Sequence, residues 1–136
     1  SVKGWRMKKV AAGIIQNDGK ILVGRRSNTR YFPGKWEFPG GKIEAGESPE
    51  DCLARELTEE LGMRAQVREL LCSSCYNYPE ESVEVLAFVC DAISLPIKMT
   101  SHSEIRWVIP REVLSLDLLA ADIPIAKQYL ETYYDP

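Results

Sequence analysis

The chain has 136 residues, which is enough for one domain with a hydrophobic core and too few for two comfortable ones. Its 45% hydrophobic and 27% charged residues are typical of a soluble globular protein, and no apolar run predicts a membrane span or a signal peptide. The net charge of −3 argues against a general nucleic-acid-binding surface, where a basic face is expected. A small phosphorylated ligand, held by a few local cations, remains compatible with this charge.

The N-terminus divides into two parts. Residues 1–6 fit none of the patterns that follow, whereas Met7-Lys8-Lys9 resembles a natural start. We therefore expect residues 1–6 to be a cloning remnant or a disordered extension, and residues 7–136 to form a single domain.

A β-hairpin is predicted next. Val10 to Ile15 and Ile21 to Val23 are short apolar runs, and Asn17-Asp18-Gly19 between them favours a turn, because Asp and Gly tolerate the left-handed backbone region. Arg25-Arg26 ends the second strand, and a polar loop from Ser27 to Gly34 follows. One arginine of this pair is typical of a solvated strand edge, and the other is available to an anion.

Lys35 to Phe38 predicts a short strand that leads into Pro39-Gly40-Gly41. Trp36 and Phe38 alternate, so both rings lie on one face, where core packing is the simpler role. The two glycines supply backbone that can approach an ion or a phosphate closely.

A helix from Pro49 to Leu61 has clear start and stop signals. Ser48 is the expected N-cap, Pro49 suits the first helical position, Asp51 stands at the capping-box position, and Gly62 is the expected C-terminal stop.

The spacing of side chains on this helix predicts two different faces. Leucines at i, i+4 and i+8 form a buried stripe: Leu53, Leu57 and Leu61. Glutamates at i, i+3 and i+4 crowd one edge: Glu56, Glu59 and Glu60. Like charges at this spacing repel unless a cation neutralises them, and Arg55 alone cannot balance all three. The crowded edge indicates either a solvated surface or a site for Mg²⁺, which takes oxygen ligands and often bridges carboxylates to phosphates.

The second half of the chain predicts more strands and a final helix. Ala65 to Cys72 and Ser82 to Cys90 are expected strands, and the second is apolar on both faces, as in a buried sheet. Ile105 to Ile109 is another expected strand, after a polar loop from Lys98 to Glu104, and Pro110 to Leu114 is an expected short helix.

The last helix is expected from near Asp122 to Tyr133. Four of its residues are expected to face the core: Ile125, Tyr129, Leu130 and Tyr133. Asp122 is a candidate N-cap for this helix.

Four cysteines, Cys52, Cys72, Cys75 and Cys90, accompany one histidine, His102. Cys72 and Cys75 have zinc-like spacing, but no second pair completes a site. We expect four free thiols in a reducing cytoplasm.

The residues from Gly41 to Met63 resemble the Nudix box at every defined position: Gly41, Glu47, Arg55-Glu56-Leu57, Glu59-Glu60 and Gly62-Met63. The preceding Trp36 to Glu44 looks like the MutT-type branch, which includes enzymes similar to CTP pyrophosphohydrolases. The similarity in layout extends from about Met7 to the last helix. It implies an α/β (α+β) fold, a Nudix α/β/α sandwich with a mixed sheet between helices.

The resemblance also implies an activity. It predicts a Mg²⁺-dependent nucleoside triphosphate pyrophosphohydrolase, with Mn²⁺ as a substitute, that releases nucleoside monophosphate and pyrophosphate. The partner would be a small nucleotide, with no nucleic-acid polymer and no membrane, and the protein a monomer or homodimer in the cytoplasm. A role in nucleotide-pool sanitising and DNA repair follows, with 8-oxo-dGTP or (d)CTP-type substrates. The alternatives are a catalytically weak nucleotide-binding Nudix module and a hydrolase of another nucleoside diphosphate-linked compound.

Site residues carried over from the family fall into three groups. The implied metal ligands are Glu56, Glu59, Glu60 and the Gly40 carbonyl. The implied catalytic group is Glu56 as base toward a water on the metal, Arg55 to orient a glutamate, and Glu47 to brace the loop. The implied substrate-binding residues are Arg26, Phe38, Gly41 and Asp122, which stands where the family presents Asn or Asp to the base edge. The N-cap role of Asp122 remains the alternative.

One departure from the family pattern concerns the loop before the late strand. MutT-type enzymes often carry a further glutamate there, but this chain has Ser101. Glu104 is the nearest carboxylate and is a possible auxiliary ligand or base, with a strand-edge surface charge as the alternative. His102 is expected to be a bystander.

Overall fold

The computed structural model describes residues 7–27 and 31–134, so the expectations for residues 1–6 and part of that for the 27–34 loop lie outside the described residues. The elements in chain order are β1 (Met7–Asn17), β2 (Lys20–Arg26), β3 (Trp36–Glu37), β4 (Gly40–Lys42), α1 (Pro49–Leu61), β5 (Ala65–Asn77), β6 (Ser82–Ala92), β7 (His102–Val108) and α2 (Ile123–Tyr133). Short 3₁₀ helices, Pro110–Ser115 and Ala120–Asp122, join β7 to α2. Within these residues, no helix is both long and apolar enough to cross a membrane.

The seven strands form one mixed sheet around β1. β1 pairs in parallel with β6, from Met7 opposite Ser82 to Gln16 opposite Asp91, and antiparallel with β2 and β4. β5 pairs antiparallel with β6, while β3 and β7 flank β2. The β1–β2 turn contains Asp18 and Gly19 at positive φ, as the Asn-Asp-Gly motif predicts.

Two hydrophobic cores lie on opposite faces of the sheet. Leu53, Leu57 and Leu61 of α1 pack with Ala11 and Ile15 of β1 on one face. Residues Ala12 and Ile14 of β1 face the other way and pack with Ile125, Ala126 and Tyr129 of α2. The alternation of β1 therefore produces the predicted α/β/α sandwich.

The helix boundaries agree closely with the sequence signals. α1 begins and ends at the predicted residues, the Ser48 hydroxyl accepts a hydrogen bond from Asp51 N at 3.1 Å, and Gly62 is left-handed. In α2 the predicted core position of Tyr133 is wrong, because its side chain is 39% exposed, whereas the small Ala126 is fully buried.

Several strands are longer than predicted or shifted. β1, β5 and β6 each extend past their apolar runs, and β7 begins at His102, within the segment that was expected to be a polar loop. Backbone pairing continues here through polar residues that hydrophobic periodicity does not detect. All four cysteines are free thiols.

Candidate active site

Arg55 is the centre of an ion-pair network on the polar edge of α1. Its guanidinium donates from Nε and Nη2 to both oxygens of Glu47, at 2.7 and 3.0 Å. Its Nη1 donates to Glu56 Oε1 at 2.8 Å and to Glu59 Oε2 at 3.2 Å. The paired hydrogen bonds from Arg55 lower the pKa of Glu47 to about 2. One guanidinium therefore fixes three carboxylates whose mutual repulsion would otherwise spread them apart.

The loop before α1 is held against the helix by the same group of residues. Glu47 Oε1 accepts from Glu44 N at 3.1 Å, and the Cys52 thiol lies 3.5 Å from Gly41 O and 3.3 Å from Lys42 O. β4, which contains Gly40 and Gly41, pairs with β1 on its other side. The loop backbone is therefore fixed between the central strand and the acidic edge.

Both glycines of this loop lie where a side chain has no room. A Cβ on Gly40 would stand 1.9 Å from the carbonyl oxygen of Ala11. A Cβ on Gly41 would stand 2.3 Å from Cδ of Glu56. The obstacle at Gly40 is the backbone of β1, and the obstacle at Gly41 is the carboxyl group of a side chain. A side chain at Gly40 would therefore disturb the backbone, whereas one at Gly41 would displace the Glu56 carboxylate.

We expect Gly41→Ala to lower activity about a hundredfold with little loss of stability, because the new methyl group displaces the Glu56 carboxylate from its place beside the loop. Steady-state kinetics and the melting temperature measure the two effects. Gly40→Ala is the contrast, since its clash with the β1 backbone is expected to reduce the yield of folded protein. Unchanged kinetics in Gly41→Ala would contradict the importance of this contact.

Glu60 lies on the wall of a cleft beside the loop. Its Oε2 accepts from the Ser101 hydroxyl at 2.9 Å. Burial raises the pKa of Glu60 to about 6, and the neighbouring charge of Glu56 acts in the same direction. Ser101, at the position where the family pattern has a loop glutamate, thus contacts one of the helix glutamates.

Glu104 does not line this cleft. It is opposite Arg25 in the β2–β7 ladder, and its Oε2 accepts from Arg106 Nη2 at 2.8 Å, with both side chains more than 40% exposed. This placement matches the strand-edge alternative stated for Glu104.

The cleft has a volume of about 300 Å³ and runs over the sheet from the glycine loop toward α2. Its floor is apolar and comes from the two central strands: Val10, Ala12, Val83 and Val85. Among the predicted substrate-binding residues, the structure places four on its walls: Arg26, Phe38, Gly41 and Asp122. Trp36 and Phe38 are both buried in the same core, but only Phe38 also lines the cleft.

Asp122 is buried at the end of the cleft and is only 3% exposed. Asp122 occupies the N-cap position of α2 as expected, but its side chain makes no capping hydrogen bond, and its Oδ2 accepts from Phe38 N at 3.0 Å instead. Burial raises the pKa of Asp122 to about 8, and the nearby charge of Glu37 adds to this effect. The group is therefore a neutral carboxylic acid at pH 7, able to donate as well as accept a hydrogen bond.

Glu37 lines the cleft and His102 is its buried partner, and the sequence interpretation assigned neither residue to the site. Glu37 pairs with Arg26 Nη1 through Oε1 at 2.8 Å and with His102 Nε2 through Oε2 at 3.0 Å. The His102 side chain is 1% exposed, so it is a buried partner of Glu37 rather than a loop bystander. The sequence did contain a signal for Glu37. It lies between Trp36 and Phe38, so strand alternation turns its side chain to the face opposite the two rings.

A divalent cation finds suitable donors at the acidic edge. Glu56 and Glu60 are close enough for the charge of one to raise the pKa of the other, and carboxylate oxygens suit hard cations. Glu59 is 59% exposed and bonded to Arg55. Across residues 7–27 and 31–134, no three His, Cys, Asp or Glu side chains form a ready-made metal site. The carboxylate oxygens therefore fit a hard cation whose coordination is completed by substrate phosphate and water, as is common for Mg²⁺.

An acidic helix edge facing a glycine loop, with a cleft of apolar floor and polar walls beside it, indicates an enzyme that handles phosphorylated small molecules. Residues 7–131 match the family model described as NUDIX domain, and the chain belongs to this family of hydrolases.

Similar proteins support the same assignment. The chain is 35% identical over 125 residues to the CTP pyrophosphohydrolase of Escherichia coli K12, covering 92% of this chain and 93% of that protein. It is 42% identical over 82 residues to the 8-oxo-dGTP diphosphatase of Haemophilus influenzae, covering 60% of each. The crystal structure of the MutT protein from Methanosarcina mazei Go1 superposes with a TM-score of 0.82 at 27% identity, covering 96% of this chain and 97% of that one.

Proposed function

We propose that this Nudix hydrolase is a metal-dependent nucleoside triphosphate pyrophosphohydrolase that releases a nucleoside monophosphate and pyrophosphate. The proposal rests mainly on one observation, which is that a single cleft contains both an acidic region and an apolar region. Glu60 and the glycine loop line one part, and apolar strand residues with buried Asp122 line another. A triphosphate needs the first region and a nucleobase suits the second.

The metal requirement follows from the charge of the reactants. Nudix hydrolases generally use divalent metal ions, and we propose Mg²⁺, with Mn²⁺ as a substitute. Glu56, Glu59, Glu60 and the Gly40 carbonyl are the proposed ligands. The ion would neutralise phosphate oxygens and lower the pKa of a water molecule that attacks phosphorus.

The chain's own residues have proposed roles around this ion. Glu56 takes the proton of the attacking water, since its carboxylate lies against Gly41 at the loop. Arg55 is a positioning residue, because its hydrogen bonds hold Glu56 and Glu59 in place. Glu47 braces the loop by accepting from both Glu44 N and Arg55.

The nucleoside end of the cleft is proposed to bind the base. Phe38 offers a ring, and the neutral Asp122 offers a hydrogen bond to the base edge while Phe38 N holds its other oxygen. Arg26 reaches the same cleft and is fixed by Glu37 and by Tyr31 O, to which its Nε donates at 3.1 Å. We propose a (d)CTP or 8-oxo-dGTP type of substrate, which suits the names of the similar proteins.

The proposed setting is the cytoplasm, where the protein would sanitise the nucleotide pool as a single domain, monomeric or homodimeric. Glu104 remains a possible auxiliary group if its pair with Arg106 opens when a triphosphate binds.

Product analysis tests this proposal. Wild-type protein is incubated with dCTP, 8-oxo-dGTP and dATP, with Mg²⁺ or with a chelator, and phosphate and pyrophosphate are measured separately. We expect pyrophosphate and monophosphate to appear only with metal, because the triphosphate charge is otherwise unscreened. Release of phosphate and a diphosphate would contradict the cleavage position. Failure to cleave any triphosphate would favour a diphosphate-linked substrate or a binding module.

A further inference from the structure

Lys8 on the central strand β1 lies on the wall of the cleft. Strand alternation places Lys8, Val10 and Ala12 on the same face, and all three line the cavity. Lys9 lies between them, faces the other side and is exposed. Lys8 therefore lies at the outer end of the cleft, next to the apolar residues of its floor.

The position of Lys8 along β1 separates it from the metal end. Gly40 and Gly41 pair with Ala12 and Ala11, and Lys8 is three to four residues earlier in the same strand. At about 3.3 Å per residue, Lys8 is roughly 10 to 13 Å along the strand from the two glycines. This separation suits a group that contacts the nucleoside rather than the phosphate that is cleaved.

A series of contacts runs from Lys8 along the cleft to the residue next to Asp122. Glu81 Oε2 is 3.8 Å from Lys8 Nζ, and Tyr78 N donates to Glu81 O at 2.9 Å. The Tyr78 hydroxyl in turn accepts from Ala121 N, beside Asp122, at 3.1 Å. These contacts connect Lys8, around the rim, to the residue proposed to read the base.

The Lys8 ammonium keeps its hydrogen-bonding capacity. The distance of 3.8 Å to Glu81 is too long for a hydrogen bond, and both side chains are more than a third exposed. Lysine offers three donors and no acceptor. It therefore favours a ligand edge that carries an oxygen acceptor.

We propose that Lys8 is a specificity-determining residue that donates a hydrogen bond from Nζ to a carbonyl oxygen of the substrate's nucleobase. The inference rests on the proposed function and adds a substrate class to it. Cytosine, uracil and oxidised or ordinary guanine carry such an oxygen, whereas adenine carries none. Nucleotides with an oxo base are favoured over adenine nucleotides by this contact.

The test compares Lys8→Met with Lys9→Met, a matched control that removes the same charge from the opposite face of the same strand. The quantity measured is kcat/KM for dCTP divided by kcat/KM for dATP. We expect this ratio to fall about tenfold in Lys8→Met and to stay unchanged in Lys9→Met, since a hydrogen bond from a charged donor is lost only in the first. Lys8→Arg keeps a cationic donor and is expected to retain most of the preference.

A second readout keeps the inference separate from catalysis. The affinities of CMP and AMP for wild type and both variants are measured by calorimetry, which requires no turnover. Should wild type cleave no triphosphate, the proposed function fails, and the CMP-to-AMP affinity ratio still decides the role of Lys8. An equal loss for both bases would show a general electrostatic effect and overturn the inference, as would equal ratios in Lys8→Met and Lys9→Met.

Discussion

Replacing Glu56 by glutamine is expected to reduce kcat about a thousandfold, with a change of no more than a few degrees in the melting temperature. Glutamine has nearly the same volume as glutamate, but it carries no charge to bind a cation and accepts a proton poorly. The fold should persist, because Arg55 keeps its two hydrogen bonds to Glu47 and its bond to Glu59. The measurement is pyrophosphate release at saturating substrate over a range of Mg²⁺ concentrations.

Glu50→Gln is the control for this substitution. Glu50 is exposed in the first turn of the same helix, so the variant removes an equal charge from α1 without touching the cleft. Its kcat is expected to match the wild type. A kcat for Glu56→Gln within tenfold of the wild type would exclude Glu56 as the base and direct attention to Glu60 and Glu104.

Replacing Asp122 by asparagine is expected to stabilise the protein by an amount that grows with pH. The native state keeps a proton on Asp122 up to about pH 8, whereas the unfolded chain releases it near pH 4. Since the unfolded state then binds fewer protons, the free energy of unfolding of the wild type falls as pH rises between these values. Asparagine does not titrate, and its amide oxygen can still accept from Phe38 N.

The difference in the free energy of unfolding between Asp122→Asn and wild type should rise by about 1 kcal/mol per pH unit from pH 4 to 8 and then level off. Thermal or urea unfolding at a series of pH values measures it. Asp117→Asn is the matched control, because it makes the same substitution at an exposed carboxylate that pairs with Lys35. A difference for Asp122→Asn that stays flat from pH 4 to 8 would show that the buried group is ionised.

The sequence predicts features that depend on local chemistry. α1 begins and ends where Ser48, Pro49 and Gly62 place it, because capping and left-handed conformation are properties of a few neighbouring residues. The Asn-Asp-Gly turn has the same basis. The two-sided burial of β6 was also predictable, since residues 87–90 are apolar without alternation and all are buried.

Features that depend on distant residues were not predictable in the same way. Asp122 has the sequence context of an N-cap, but the backbone N–H of Phe38 competes for its side chain across 84 positions. His102 looks like a loop residue until the β2–β7 pairing brings it to Glu37. The Nudix box identified the acidic edge, and the i, i+4 spacing predicts the contact of Arg55 with Glu59, but the bond from Arg55 to the adjacent Glu56 is known only from the geometry.

The parallel pairing of β1 with β6 determines when the cleft can form during folding. Met7 pairs with Ser82, and the register continues to Gln16 with Asp91, so each contact closes a loop of 75 residues. Contacts this distant form slowly, because the chain entropy of closure is lost before the strands gain their packing. During synthesis β1 therefore cannot complete this pairing until β6 has left the ribosome. The cleft floor, shared by Val10 of one strand and Val85 of the other, is among the last surfaces to form, and a nascent chain cannot bind nucleotide before that point.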